Sequence, residues 1–197
     1  MKYLALGDSY TIGELVKYES NFPSQVVQLL HHNGIDLKLD KLIAVTGWTT
    51  DELAQAISTE RPDLDFDWVS LLIGVNNQYR GRSKEEYAWQ FYSLICQAIL
   101  FAKGKASSVI VISIPDWGLT PFNKDGDPAL VSKEIDELNQ INKSIAEHFG
   151  CHYLDVTTST RLHATDQAYL APDLLHYSEK EYEIWAKQLA TIIQENS

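Results

Sequence analysis

Three residues of this chain could together carry out acyl transfer: Ser9, Asp173 and His176. A serine hydroxyl can attack a carbonyl carbon, an imidazole can take its proton and later return one to the leaving group, and a carboxylate can hold the imidazole's other nitrogen. Asp173 stands three residues ahead of His176, where it can play that last part. The reaction also builds negative charge on the carbonyl oxygen, and that charge needs fixed donors. Gly47 offers a backbone N–H with no side chain in the way, Asn76 offers an amide on a short stem, and the N–H of Ser9 itself is a third.

These groups can meet only if the fold carries them to one edge. Tyr3-Leu4-Ala5-Leu6 reads as a buried strand over residues 3–7, and Gly7-Asp8-Ser9 as the turn that ends it. A helix is expected from near Pro23 to Gly34, with Val26, Val27, Leu29 and Leu30 on one face. Residues 36–45 alternate and then run apolar, as a strand near a sheet edge does. Thr49 and Glu52 have capping-box spacing, which starts a helix that ends before Arg61-Pro62. Residues 69–73 and 109–114 are short, largely β-branched runs broken only by Ser70 and Ser113, the pattern of central strands covered on both faces. Ser83 with Glu86, and Ser178 with Glu181, repeat the capping-box spacing ahead of a long helix and of a last helix reaching about Gln194. Between them a helix is expected from Ser132 to Gly150 and a fifth strand over 152–156.

Strands alternating with helices predict a parallel sheet with helices on both faces. In such a sheet Ser9, Gly47, Asn76, Asp173 and His176 all follow carboxyl ends of strands and share one rim, where open α/β sheets collect their sites. Two stretches lack a regular pattern, 115–131 and 157–177, and long loops in compact domains are often functional. Trp117, Pro121 and Phe122 lie in the first of these, and Trp117 and Phe122 are candidates for the walls of a substrate pocket.

At 197 residues the chain can bury a substantial core, and residues 1–197 are expected to form a single domain. A formal net charge of −11, with Lys and Arg scattered, opposes binding to nucleic acid, which depends on neutralising phosphates. No stretch approaches the roughly 18 apolar residues of a membrane span. Met1 and Lys2 lead straight into the first strand, so a cytoplasmic location is expected. Cys96 and Cys151 lack the spacing of a redox pair or zinc site and read as small buried apolar residues. His31, His32, His148 and His152 have no partners at metal-ligand spacing.

The order Gly7-Asp8-Ser9, Gly47, Gly74-Val75-Asn76 and Asp173-Leu174-Leu175-His176 resembles the SGNH hydrolases, also called the GDSL esterase and lipase family, over nearly the whole chain. The resemblance implies an α/β fold, a three-layer flavodoxin-like sandwich around a five-stranded parallel sheet. It implies Ser9 as nucleophile, Asp173 and His176 as the rest of a catalytic triad, and Ser9, Gly47 and Asn76 as the oxyanion hole. It implies a small-molecule ester as substrate and neither metal nor organic cofactor. Three positions depart from the family pattern: Tyr10 stands where Leu is usual, Asn77 where Asp is usual, and Tyr177 where Pro is frequent. The expected activity is hydrolysis of carboxylic esters, such as small acyl esters, lysophospholipids or thioesters, through an acyl-serine. The alternatives are acyl transfer to another alcohol and a catalytically silent ligand-binding domain of the same fold. A nucleotide-binding flavodoxin-like protein is disfavoured, since neither G-x-G-x-x-G nor a P-loop is present.

Overall fold

In the computed structural model, which describes residues 1–197, five parallel strands form one sheet. They are β1 (Lys2–Gly7), β2 (Lys38–Ala44), β3 (Trp68–Leu72), β4 (Val109–Ile112) and β5 (His152–Leu154), in the order β2-β1-β3-β4-β5. The mainly apolar β1, β3 and β4 are buried beyond Lys2, Ser70 of β3 included, as strands covered on both faces must be, whereas the alternating β2 lies at an edge. Gly7 pairs with Ala44 on one side and Leu72 on the other, so β1, β2 and β3 end together. The chain leaves β1 toward β2 but returns across it to β3 and β4. The crevice between the ends of β1 and β3 is therefore the topological switch point.

Right-handed crossovers sort the long helices into two layers. The helices α2 (Phe22–His32) and α8 (Glu179–Glu195) pack together on one face, while α3 (Thr50–Glu60), α5 (Lys84–Phe101) and α6 (Pro128–Phe149) pack side by side on the other. One cluster of 46 buried residues runs from Phe22 and Trp185 through the strands to Phe91 and Leu138, so both layers and the sheet share a core. Each Leu, Ile, Val or Phe fully buried there contributes about 1.5 to 3 kcal/mol.

Three short helices have no counterpart among the sequence expectations: α1 (Ser9–Ile12), α4 (Val75–Tyr79) and α7 (Thr157–Leu162). Four to six residues make barely one turn, too short for an apolar period to register. Ser9 thus opens a helix rather than sitting in an open turn. The helix expected from Ser132 begins at Pro128, because Asp127 caps it and accepts the N–H groups of Ala129 and Leu130. The third and fourth strands also stop short of the expected 73 and 114. There side chains replace the ladder: Tyr87 donates to the Ile73 carbonyl, and Asn139 bonds both the N–H and the carbonyl of Ile114. Cys96 and Cys151 are half-buried rather than buried, and burial pushes the Cys151 thiol up to about 11. No helix is long and apolar enough to cross a membrane.

Candidate active site

The site begins with Gly7. A Cβ at that position would stand 2.0 Å from the Thr11 hydroxyl and 2.5 Å from the Leu72 carbonyl oxygen, so only glycine lets α1 fold back over the ends of β1 and β3. Asp8 caps α1, its Oδ1 accepting the Tyr10 N–H at 3.1 Å. This carboxyl is fully buried and its Oδ2 has no partner. Burial pushes it up to about 7, against the pull of the N–H groups of Tyr10 and of Asp8 itself. Ser9 follows as the first helical residue, where a backbone N–H has no partner within the helix.

The loop after β2 brings Gly47 to the same edge. Its φ of 87° is a left-handed conformation that costs other residues about 1 to 2 kcal/mol. The Gly47 N–H makes no hydrogen bond, while its carbonyl accepts Nη2 of Arg80 at 2.5 Å. The residues of α4 then act one after another. Asn76 gives one amide hydrogen to the Trp48 carbonyl at 2.9 Å and keeps the other free at the cleft. Asn77 turns away and is buried, with Oδ1 accepting the Thr50 N–H and Nδ2 donating to the Thr50 hydroxyl at 2.7 Å. Gln78 accepts the Trp117 indole N–H at 2.7 Å, and the Tyr79 ring packs edge-on against that indole.

A loop closed by the Leu170–Tyr177 bridge carries the acid and the base. The Ala171 N–H donates to the His176 carbonyl at 2.8 Å, and Leu174 takes a left-handed φ of 59° inside the turn. Asp173 Oδ1 accepts the N–H groups of Leu175 and His176, which frees Oδ2 to meet His176 Nδ1 at 2.6 Å. Burial pushes the Asp173 carboxyl up, but the imidazole and the two N–H groups more than offset it and hold the group below its ordinary value. With Nδ1 engaged, Nε2 is the ring's free nitrogen; it makes no hydrogen bond to Ser9 Oγ, although both residues line the same cleft. Tyr10 supports the imidazole with its ring, at 5.6 Å between centroids, and meets Tyr177 at 5.5 Å. Two of the positions that depart from the family pattern therefore pack on each other beside His176.

The cleft holds about 200 Å³ and brings together Ser9, Gly47, Asn76 and His176, with Asp173 behind the imidazole ring. Its walls are Val75, Tyr79, Trp117, Phe122 and Leu175, so the two pocket residues expected from the sequence both reach it. The Trp117 loop is pinned to the His176 loop. The buried Asp116 takes Nε of Arg161 at 2.8 Å, the Tyr177 hydroxyl donates to the Asp116 carbonyl, and the Phe122 N–H donates to the Leu174 carbonyl. Ser178 and Glu181 do not form the expected capping box: the Ser178 hydroxyl donates to Ala168, and Glu181 is buried. Glu181 instead accepts from Ser159 and Trp185, at 2.5 and 2.9 Å, and bonds His163 Nδ1 at 2.7 Å, so the buried carboxyl is not left without partners. Thr46, Val75, Tyr79 and Leu175 belong to the cleft without having been singled out, and Tyr10, marked only as a departure from the family pattern, lines it too. The available signal was adjacency, since each lies within three residues of a site residue named from the sequence.

A parallel sheet in this order, with a serine, a His–Asp pair and unpaired donors gathered at its switch point, fits a hydrolase of ester bonds on an α/β sandwich. The chain belongs to the GDSL-like Lipase/Acylhydrolase family, whose model matches residues 5–184. Among solved structures it resembles a lipase/acylhydrolase from Enterococcus faecalis at 18% identity and a TM-score of 0.77, covering 99% of this chain and 96% of that one. It also resembles TesA, at 14% identity and a TM-score of 0.74 over 99% of each chain. A third is Axe2, an acetylxylan esterase from Geobacillus stearothermophilus, at 22% identity and a TM-score of 0.71 over 98% of this chain and 93% of that one. At these identities the likeness is one of fold. No curated protein sequence matches significantly.

Proposed function

We propose that this protein is a serine esterase that cleaves small carboxylic esters through an acyl-serine intermediate, with residues 1–197 as one catalytic domain. The observation that carries the reading is the cleft itself, where a serine, the imidazole of a His–Asp pair and the Gly47 and Asn76 donors line one space of about 200 Å³. Ser9 Oγ attacks the substrate's carbonyl carbon while His176 Nε2 takes the hydroxyl proton. Asp173, held anionic, steadies the imidazolium that forms. The N–H groups of Ser9 and Gly47 and the free amide hydrogen of Asn76 receive the negative charge on the carbonyl oxygen. Collapse of the tetrahedral intermediate expels the alcohol, which leaves with the proton from His176, and water then repeats the sequence on the acyl-serine.

The aromatic walls favour an apolar acyl group, and the size of the cleft favours a compact one. A structural relative named as an acetylxylan esterase is in keeping with a small acyl group. The test is labelling with a fluorophosphonate probe, followed by mass mapping and a panel of p-nitrophenyl esters and thioesters from acetyl to dodecanoyl. Ser9 should carry the label, and Ser9→Ala should lose both label and turnover. Modification of another serine, or full activity in the alanine variant, defeats the assignment.

A further inference from the structure

We propose that Arg80 is a positioning residue for the oxyanion hole, fixing the Gly47 backbone from outside the cleft; this rests on the reading of Ser9, Gly47 and Asn76 just given. Glycine has no side chain to restrict it and loses more freedom on ordering than any other residue, so the direction of the Gly47 N–H must be set by its neighbours. The flanking residues are tethered, Thr46 through its hydroxyl to Glu14, and Trp48 through its carbonyl to Asn76. Only Arg80 bonds Gly47 itself, by a charge-assisted contact of 2.5 Å to the carbonyl. With Thr46 held on the other side, pinning that carbonyl leaves the intervening N–H little room to rotate.

The guanidinium is itself anchored. Its Nη1 meets both carboxylate oxygens of Glu52 at 3.3 Å, and Glu52 is locked to the Thr49 N–H at 2.8 Å at the start of α3. Asn76 and Arg80 lie one helical turn apart, and the Arg80 N–H donates to the Asn76 carbonyl at 3.0 Å. The same short element therefore presents the side-chain donor and the tether of the backbone donor. The spacing of the two donors is set as one unit, which is what a developing oxyanion requires.

The test compares Arg80→Ala, Arg80→Lys and Arg82→Ala by kcat and KM on one p-nitrophenyl ester, with melting temperatures as a folding check. Deleting a whole oxyanion donor costs about a hundred- to a thousandfold. Loosening one should cost less, and Arg80→Ala is expected to lower kcat about tenfold with KM changed less than about twofold. Lysine can still reach the carbonyl with one donor and should recover part of the loss, as should guanidinium ion added to Arg80→Ala. Arg82, which pairs with Asp51 and Glu86 and not with the loop, should tolerate alanine at unchanged kcat. Unchanged kcat in Arg80→Ala overturns the proposal. So does a rise confined to KM, which would make Arg80 a substrate contact, or an equal loss in Arg82→Ala. If these appear while Ser9→Ala is inactive, only the role of Arg80 falls; if Ser9→Ala stays active, the esterase reading falls first.

Discussion

Replacing Asp8 with Asn should change how stability depends on pH, by an amount that follows from the buried carboxyl. Its pKa is raised from the ordinary 3.8 to about 7 in the folded state, chiefly by burial. The folded protein therefore keeps a proton that the unfolded chain has already lost, and folding takes one up between pH 4 and 7. The stability contributed by Asp8 is fully present below about pH 4 and is lost as pH rises through about 7. Three pH units at about 1.4 kcal/mol each amount to about 4 kcal/mol. Asn imitates the protonated carboxyl at every pH and keeps an oxygen for the Tyr10 N–H. The unfolding free energy of the natural protein minus that of Asp8→Asn should thus fall by about 1.4 kcal/mol per pH unit and flatten above neutrality. Asp173, Asp67 and Asp155, whose carboxyls are held low, lend stability in the opposite sense, but they are common to both proteins and cancel in the difference. Urea titrations from pH 4.5 to 8.5, followed by the fluorescence of the five tryptophans, supply the two curves. A difference that stays constant across the range would refute the reasoning.

Asn76→Ala should lower kcat by about a hundred- to a thousandfold with little change in KM. Asn77→Ala should chiefly cost stability, about 1 to 3 kcal/mol, because it strands buried groups of Thr50; the reverse pattern in folded variants would exchange the two roles. Asp173→Asn keeps an oxygen for the two loop N–H groups but turns a donor toward His176 Nδ1, so kcat should drop about a thousandfold or more without unfolding. Activity within tenfold of the natural protein would count against the Asp–His arrangement. Trp117→Ala should alter relative rates along an acyl-chain series, since each methylene in contact with a pocket wall is worth about 1 to 3 kcal/mol; equal losses on all substrates would make the wall structural only.

The sheet was largely legible because Leu4 to Leu6 and Val109 to Ile112 are apolar without interruption and Val69 to Leu72 is broken only by Ser70, runs that burial on both faces explains. The candidate site residues were legible for a different reason: Ser9, Gly47 and Asn76 each follow a strand closely, His176 lies in the long loop after the last strand, and a parallel sheet puts all those ends on one rim. The frame around them was not. Helices α1 and α4 are one turn long and leave no period, and the bond from Arg80 to Gly47 joins residues 33 apart with no local pattern. Glu181 shows how a local rule misleads. Its spacing from Ser178 fits a capping box, but His163, Ser159 and Trp185 draw it inward, and nothing near Ser178 in sequence announces those partners. Tyr10 and Tyr177 stood out one at a time as departures, and only the fold puts them in contact.

The division of the site between the two ends of the chain makes hydrolysis a reporter of assembly. A cut in the turn after α5 would leave one piece with Ser9, Gly47 and Asn76 and another with Asp173 and His176. By the proposed acyl-serine route neither fragment would turn over an ester. On the same mechanism turnover would return only when β3 found β4, α2 found α8 and α5 found α6, the main contacts that join the two pieces. The chain is thus suited to split-protein complementation, with a chromogenic ester reading out whether two fused partners have brought its halves together.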